Sequence, residues 1–335
     1  MQLPIQSILI IRLSSIGDIV LTTPLIRLLA AAYPHATLDY CTKLPFLPLL
    51  AHNPRLSHLF TPELLPTTAY DLVVDLQNNR RSQLLVNSLK SRYHVAYHKE
   101  NWKKWLYVHL KLNLYGNSWL HVVDRYRQAM DSFQPLADDS AGCELYPASE
   151  ELEFAASVTA HAGKVLAICC GANHFTKRYP ALHFATVVRL LMERHPSLTV
   201  LLLGGKEDVP QVNAIFEAVP SALRSQMVVF AGECSLMQSA ALLARSDAVL
   251  CNDTGLMHMA SAFGKQLFVL FGSSVREFGF LPYHTPYELF EVSKLRCRPC
   301  SHIGRSRCKK KHFRCMHALS PEYVAQRIHL YFEKR

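Results

Sequence analysis

Short, continuous apolar runs recur along the chain, and each is followed by a stretch with the composition of a helix. The runs are rich in Ile, Val and Leu and occupy residues 7–13, 72–76, 165–169, 199–203, 248–251 and 266–271. A strand that is covered by helices on both faces needs apolar side chains on both sides, so its hydrophobicity is continuous rather than alternating. The pattern therefore predicts an α/β protein built on parallel sheets.

A shift in charge divides the chain into two parts. No Lys or Arg occurs between Arg127 and Lys164, whereas seven acidic residues fall in that interval. Such a change in composition is typical of a domain junction. At 335 residues, half of them hydrophobic, the chain is long enough for two domains with substantial cores. We predict α/β domains over residues 1–150 and 151–318, followed by a capped helix in residues 319–335.

The balance of charge favours anionic partners. The chain has 36 Lys and Arg against 26 Asp and Glu, a formal net charge of +10. This excess suits a nucleic acid, a nucleotide sugar or an acidic membrane surface. No apolar run reaches the ~18 residues that span a bilayer, and the start of the chain lacks the basic region of a signal peptide. We therefore expect a cytoplasmic protein.

The first apolar run leads into a loop of small and hydroxylated residues that contains Ser14, Ser15, Gly17 and Asp18. Open α/β sheets bind ligands at the carboxyl ends of their strands. A carboxylate near a helix N-terminus stays ionised, so Asp18 could accept a proton from a sugar hydroxyl. A simple N-cap role accounts for Asp18 equally well. The context of Gly17 matches neither G-x-G-x-x-G nor the P-loop pattern, which disfavours a dehydrogenase and a P-loop NTPase.

A second polar turn follows the run at residues 248–251. Asn252, Asp253 and Thr254 can cap the next helix and leave its first N–H groups available to a phosphate. His258 then lies about one turn inside that helix. Its alternative role is structural hydrogen bonding.

Two more predicted strand ends carry charged residues. Lys177 or Arg178 would offset the charge of a diphosphate, and Glu207 or Asp208 would accept hydrogen bonds from ribose hydroxyls. Taken singly, each loop is better explained as a solvated surface loop.

Two long segments carry a family resemblance. IRLSSIGDIVLTTPLIRLL at residues 11–29 and CNDTGLMHMASAFGKQLFVLFGSS at residues 251–274 resemble the glycosyltransferase family that contains the ADP-heptose:lipopolysaccharide heptosyltransferases. Residues 70–82 and 177–180 resemble the same family, so the resemblance covers most of the chain. It implies the GT-B fold, in which two Rossmann-like lobes face each other across a cleft. The acceptor would meet the first lobe and the nucleotide sugar the second, with the C-terminal helix packed back on the first lobe.

The resemblance also implies a role for each loop. Asp18 matches a general base that deprotonates the acceptor hydroxyl for direct attack on the anomeric carbon, with inversion. Lys177 matches a lysine that contacts the diphosphate. The implied donor-binding residues are Lys177, Glu207, Asp253, Thr254, Gly255 and His258, and those on the acceptor side are Ser14, Ser15, Gly17 and Arg80. No cofactor is implied for the chemistry; the partners are ADP-heptose and a lipid-linked glycan such as the lipopolysaccharide core, and nucleic acid is not expected.

The chain departs from the family pattern at a few positions. Ala172 and Asn173 stand where some members place paired threonines, and Tyr179 replaces the usual tryptophan before proline. Another nucleotide sugar therefore remains an alternative donor. A catalytically silent member that acts as an assembly partner is a second alternative.

A basic and aromatic stretch lies between Arg80 and Lys104. It holds seven Lys and Arg against one acidic residue, interleaved with Tyr93, Tyr97, Trp102 and Trp105. This composition suits an acidic acceptor at a membrane surface, and predicts peripheral association with the inner face of the cytoplasmic membrane. The alternative is a solvated helix face with scattered aromatic residues.

Four cysteines cluster near the end of the chain, within a segment of nine Lys and Arg and no acidic residue between Lys294 and Arg314. Four thiolates in a short span could form a tetrahedral, structural zinc site. Plain reduced cysteines are the competing interpretation, and a redox role is a weaker one. A basic, zinc-bearing nucleic-acid-binding protein is the rival class, but it leaves the two long segments unexplained. The candidate ligands are Cys297, Cys300, Cys308 and Cys315, with His302, His312 and His317 as alternates.

Overall fold

Two parallel sheets organise the protein, one in each half of the chain. The computed structural model describes residues 5–116 and 118–334. The strands of the first sheet are β1 Ser7–Ile11, β2 Thr37–Cys41, β3 His58–Phe60, β4 Tyr70–Asp75 and β5 Ser91–Ala96. Those of the second are β6 Lys164–Cys169, β7 Leu198–Leu203, β8 Met227–Val229, β9 Ala248–Asn252, β10 Gln266–Phe271 and β11 Tyr287–Glu291. All six apolar runs of the sequence therefore form strands, and the α/β prediction is confirmed.

Both sheets have the strand order of a Rossmann fold. The first runs β3-β2-β1-β4-β5 and the second runs β11-β10-β9-β6-β7-β8, with every pair parallel. The order reverses between β1 and β4 in the first sheet and between β6 and β9 in the second. Ligands of open α/β sheets bind beside this reversal, at the carboxyl ends of the strands. The fold thus places one binding region on each lobe, and the predicted GT-B arrangement of two Rossmann-like lobes is confirmed.

Helices cover both faces of each sheet. Helices of the first half are α1 Ile16–Val20, α2 Thr23–Ala32, α3 Arg80–Ser88, α4 Asn101–Leu110 and α5 Val122–Gln128. Those of the second half are α6 Ser149–Val158, α7 Ala181–Arg194, α8 Val209–Ala218, α9 Leu236–Arg245, α10 Gly255–Ser261, α11 Arg314–His317 and α12 Pro321–Glu333. Helix α6, which spans the expected junction at residue 150, packs against α9. In the described part of the chain, no helix is both long and apolar enough to cross a membrane.

The C-terminal helix packs on the second lobe, and the prediction that it returns to the first lobe is wrong. Val324, Ile328 and Phe332 of α12 are buried in one core cluster with residues of α7. At the end of the helix, His195 Nε2 lies 2.9 Å from His329 Nδ1. The apolar stripe of α12 covers a face of α7 that would otherwise be exposed. The helix therefore packs on the lobe to which its own chain segment is adjacent.

Candidate active site

Asp18 lies in the first turn of α1, directly after the loop that follows β1, at the reversal of strand order in the first sheet. Ser15 is the N-cap residue of α1, and its backbone N–H and its hydroxyl donate to Asp18 Oδ2 at 3.2 and 3.0 Å. The other carboxylate oxygen accepts from Arg12 Nη2 at 2.7 Å. Asp18 is therefore the third residue of α1 and not its N-cap, which corrects the simple capping interpretation.

The environment keeps Asp18 ionised. Burial would raise the pKa of its carboxyl group, but the charge of Arg12 and the hydrogen bonds from Ser15 outweigh burial and lower the pKa. Arg12 is itself fixed, because its Nε and Nη1 donate to Ser14 O and Leu76 O at 2.8 and 2.7 Å. The side chain of Asp18 remains 22% exposed, so an ionised oxygen is held in place and open to a substrate.

An ion pair occupies the matching position on the second lobe. Lys177 Nζ, in the loop after β6, lies 2.7 Å from Asp253 Oδ2, in the loop after β9. Ser274 Oγ donates to the same carboxylate oxygen at 2.7 Å. Burial would raise the pKa of Asp253, but Lys177 and these hydrogen bonds lower it. Asp253 is thus a buried anion that holds the Lys177 ammonium at the end of the second sheet.

Asn252 joins the two loops that carry this ion pair. Its Nδ2 donates to Cys170 O at 2.6 Å, and its Oδ1 accepts from the backbone N–H of Tyr179 at 3.1 Å. Since Cys170 and Tyr179 flank the loop of Lys177, one buried amide sets the distance between that loop and Asp253. Sequence reasoning considered Asn252 only as a helix cap.

The two lobes touch at the binding regions themselves. Helices α1 and α10 pack together, and a Cβ atom at Gly17 would lie 2.5 Å from His258 Cδ2. A Cβ atom at Gly255 would lie 2.9 Å from Ile16 Cβ. Both positions therefore need glycine for the close approach, which brings the Asp18 loop and the Asp253 loop to opposite sides of one cleft.

His258 is buried at this contact, and its Nδ1 has no hydrogen-bond partner among the described residues. Burial is the main cause that lowers its pKa to about 4, against the raising effects of Asp253 and Asp18. The imidazole is therefore neutral at neutral pH. The uncharged ring lies between the Asp18 loop and the Asp253 loop, and its Nδ1 is available for a hydrogen bond.

The site has a fixed carboxylate on one lobe and a fixed cation on the other. A base facing a cation across a cleft suits the transfer of a group between two bound substrates. The sequence model of glycosyltransferase family 9 (heptosyltransferase) matches residues 63–311.

The chain belongs to glycosyltransferase family 9.

Two curated relatives are heptosyltransferases that align with most of this chain. The lipooligosaccharide heptosyltransferase 2 of Haemophilus influenzae is 28% identical over 304 residues, covering 84% of this chain and 86% of the relative. The lipopolysaccharide heptosyltransferase 2 of Escherichia coli is 28% identical over 310 residues, covering 82% of this chain and 84% of the relative. This chain is a glycosyltransferase.

Two solved structures show the same fold. The family 9 glycosyl transferase of Veillonella parvula matches with a TM-score of 0.80 at 19% identity, covering 100% of this chain and 99% of that one. The ADP-heptose LPS heptosyltransferase II of E. coli matches with a TM-score of 0.74 at 22% identity, covering 98% of this chain and 100% of that one. Both likenesses extend over the two lobes of this family 9 transferase.

Several predicted site residues form no side-chain hydrogen bond or ion pair with Asp18, Lys177 or Asp253 in the described part of the chain. Glu207 is exposed, whereas its neighbour Asp208 is buried, accepts from Gly205 N at 3.1 Å and lies against Gly171 at the end of β6. Arg80 is exposed at the first turn of α3, with no side-chain hydrogen bond or ion pair in the described part of the chain. Thr254 is the N-cap residue of α10 but makes no side-chain capping bond.

The structure does not support the zinc prediction. Among the described residues, the ligand atoms of Cys297, Cys300, Cys308 and Cys315 form no group of three within 4.8 Å, even with the nearby histidines included. Cys297 Sγ instead faces His312 Nε2 at 3.8 Å. Burial raises the pKa of Cys315 to about 12. All four cysteines are free thiols, and their spacing along the loop does not specify where each side chain points.

We expect Gly17→Ala to impair transfer by forcing the lobes apart. The new methyl group would collide with the buried ring of His258, and misplacement of reacting groups by about 1 Å costs roughly 100-fold in rate. Steady-state kinetics should show a fall in kcat of that order, with donor affinity largely retained. Gly142→Ala is the matched control, because its Cβ would meet no atom closer than 3.5 Å. Full activity of Gly17→Ala would contradict the close contact.

Proposed function

We propose that the protein transfers a heptose from ADP-heptose, with inversion, to the inner core of lipopolysaccharide or a related lipid-linked glycan. The observation that carries the proposal is the placement of Asp18 and the Lys177–Asp253 pair at the two reversals of strand order, on opposite sides of one cleft. The names of the relatives support the choice of heptose and of lipopolysaccharide.

Asp18 would act as the general base. An ionised oxygen held by Arg12 and Ser15 accepts the proton of an acceptor hydroxyl while the hydroxyl oxygen attacks the anomeric carbon. Because the pKa of Asp18 is low, the proton moves as the new bond forms rather than before it. Attack opposite the leaving ADP gives inversion.

Lys177 would neutralise the leaving diphosphate. Its ammonium is pre-positioned by Asp253, so little reorganisation is needed when the charge of the leaving group develops. The neutral His258 would offer its free ring nitrogen as a hydrogen-bonding group beside the same loop. Asp208, in the loop after β7, has one buried oxygen without a partner among the described residues and is the better candidate than Glu207 for a ribose contact.

A group of cations supports an acidic acceptor. Three cations interact electrostatically with the Asp18 carboxylate: Arg12, Lys99 and Lys104. The Lys104 side chain is buried and has no hydrogen-bond acceptor in the described part of the chain; its Nζ lies 5.8 Å from the centre of the Phe280 ring. Arg125 is also buried, and its Nη1 lacks a partner among the described residues. Buried cationic groups whose N–H donors are not all satisfied are unfavourable unless an anion completes them.

Lys104 is expected to make acceptor binding depend on pH. Burial and then the charge of Arg125 lower its pKa to about 8. The ammonium is charged below that pH and loses its proton above it, so the KM for an acidic acceptor should rise as pH increases through about 8. A charge-assisted hydrogen bond is worth about 1.5–3 kcal/mol, which corresponds to roughly 10- to 100-fold in KM.

Acceptor KM measured against pH tests this expectation. Lys104→Met should have a high KM at every pH, with the rise abolished. Lys103→Met is the control, because that lysine already pairs with Glu100. An acceptor KM in Lys104→Met equal to that of the unmodified protein would remove Lys104 from the acceptor site.

Calorimetric titration with ADP-heptose, ADP, UDP and GDP tests the proposed donor. Selective binding of the adenine compounds, followed by transfer to a core acceptor with inverted anomeric configuration, is the expected result. Selective binding of UDP or GDP would replace the donor, consistent with the departures at Ala172, Asn173 and Tyr179. Binding of none would favour a catalytically silent member of the family.

We also propose a cytoplasmic location with peripheral attachment to the membrane, since a lipid-linked acceptor is confined to a bilayer.

A further inference from the structure

An unusual number of large apolar side chains is exposed on α4 and the segment that follows it. The spacing of Trp102, Trp105 and His109 places them on one face of the helix, and the rings of Trp105 and His109 stack with centres 5.0 Å apart. Exposed fractions are 59% for Trp102, 55% for Trp105, 55% for Leu110, 52% for Leu112 and 49% for Leu114. Scattered exposed leucines are ordinary, but a contiguous group of this kind marks an interaction site.

The most basic segment of the chain lies directly beside this group, on the other lobe. Lys111 Nζ, between Leu110 and Leu112, donates to Pro299 O at 2.6 Å and to Cys297 O at 3.3 Å. Both carbonyls belong to residues 294–314. The apolar segment of the first lobe and the basic segment of the second therefore form one continuous surface.

The basic segment is free to attract anions. Seven of the nine Lys and Arg in residues 294–314 are exposed, and none of the seven forms an ion pair among the described residues. The segment contains no Asp or Glu. His312, which directly follows Lys309, Lys310 and Lys311 in the chain, contacts Cys297 Sγ through its Nε2, and the Cys297 carbonyl accepts from Lys111.

We propose that these two segments form a composite docking surface for an anionic lipid bilayer. Tryptophan and leucine beside lysine and arginine is the composition of surfaces that lie at the lipid headgroups, with apolar side chains in the interface and cations on the phosphates. A nucleic acid would use the cations but has no need of the exposed leucines. This inference rests on the proposed function, which supplies a membrane-bound acceptor.

The surface adjoins the mouth of the catalytic cleft. His302, in the basic segment, interacts electrostatically with Lys104 and His109 of α4 and with Lys177 of the donor region. Docking would thus turn the opening between the lobes toward the bilayer, from which a lipid-linked acceptor could enter without leaving its membrane.

Flotation with vesicles tests the proposal. The full-length protein should float with vesicles of phosphatidylglycerol and phosphatidylcholine but not with phosphatidylcholine alone, and raising the salt concentration should weaken binding. The apolar variant Trp102→Ser/Trp105→Ser/Leu110→Ser and the charge variant Lys309→Gln/Lys310→Gln/Lys311→Gln should each bind at least tenfold more weakly. Matched controls are Leu182→Ser, an exposed leucine of α7, and Arg194→Gln/Lys206→Gln, exposed cations elsewhere on the second lobe; both should bind normally.

Three results would each contradict the proposed docking surface. They are no flotation of the unmodified protein with anionic vesicles, normal flotation of the apolar variant, and losses of vesicle binding in the controls as large as those in the docking variants. Normal flotation of the apolar variant combined with salt-sensitive RNA binding would identify a nucleic-acid surface instead. Circular dichroism and donor titration check that each variant is folded.

Transfer to a deacylated, water-soluble acceptor separates this proposal from the enzymatic one. The docking variants should retain that activity while losing transfer to acceptor in vesicles. Vesicle binding without any transfer would retain the surface and reject the proposed reaction.

Discussion

Asp18→Asn should lower kcat by between about 100- and 10,000-fold, the range attributed to a positioned general base, while the Kd for ADP-heptose stays unchanged. The reason is the division of the site between lobes. Asp18 is fixed by Arg12 and Ser15 of the first lobe, whereas the proposed donor contacts all lie on the second. The amide keeps the shape of the side chain but cannot accept the proton.

Two measurements separate an effect on the chemical step from an effect on donor binding. Calorimetry gives the donor Kd, and single-turnover kinetics give the rate of the chemical step. The control is Glu193→Gln, which removes an exposed carboxylate that pairs with Arg189 on α7 and should leave both values unchanged. A loss of donor affinity as large as the loss of rate would place Asp18 in donor binding instead.

Lys177→Met should weaken donor binding and destabilise the protein, and a second substitution should separate these effects. Removing one partner of a buried ion pair typically costs about 3–5 kcal/mol, because the other charge is left without compensation. Here that charge is Asp253, whose side chain is 9% exposed. Donor affinity should fall as well, since the cation proposed to face the diphosphate is lost.

Lys177→Met/Asp253→Asn removes both charges together. Thermal unfolding should recover most of the stability lost in the single variant, because no buried charge is left unpaired, whereas the donor Kd should remain high. Asp253→Asn alone tests the positioning role: Lys177 stays charged but loses its anchor, so a smaller loss of donor affinity is expected. If the double variant binds donor normally, Lys177 does not contact the diphosphate.

The sequence was most informative where a residue's environment follows from its immediate neighbours. The six continuous apolar runs all form strands because central parallel strands are covered on both faces. Strand β5 escaped notice because it lies at a sheet edge, where His94 is exposed and Val95 is buried, so its pattern alternates. The loops of Asp18 and Asp253 were located because they directly follow central strands.

Sequence reasoning failed where the outcome depends on distant parts of the chain. Arg12 interrupts an apolar run, and nothing near it reveals that Asp18 and Leu76 O fix its guanidinium. The apolar stripe of α12 predicted a packed helix but not which lobe it covers. The spacing of Cys297 and Cys300 is compatible with a metal site, but among the described residues no three of the candidate ligand atoms lie within 4.8 Å of one another.

Because each sheet is a Rossmann-like unit with its own binding region, the donor and acceptor preferences of family members can change independently. The proposed acceptor contacts arise from segments after β1 and β5, and the proposed donor contacts from loops after β6, β7 and β9, so each set is encoded in its own half of the gene. The positions that must change in concert are those where the lobes touch, which include Gly17 against His258 and the bonds of His121 and Lys111 to the carbonyl groups of Leu281 and Pro299. Chimeras that exchange one lobe between members while keeping these contact residues should therefore recombine the donor preference of one parent with the acceptor preference of the other.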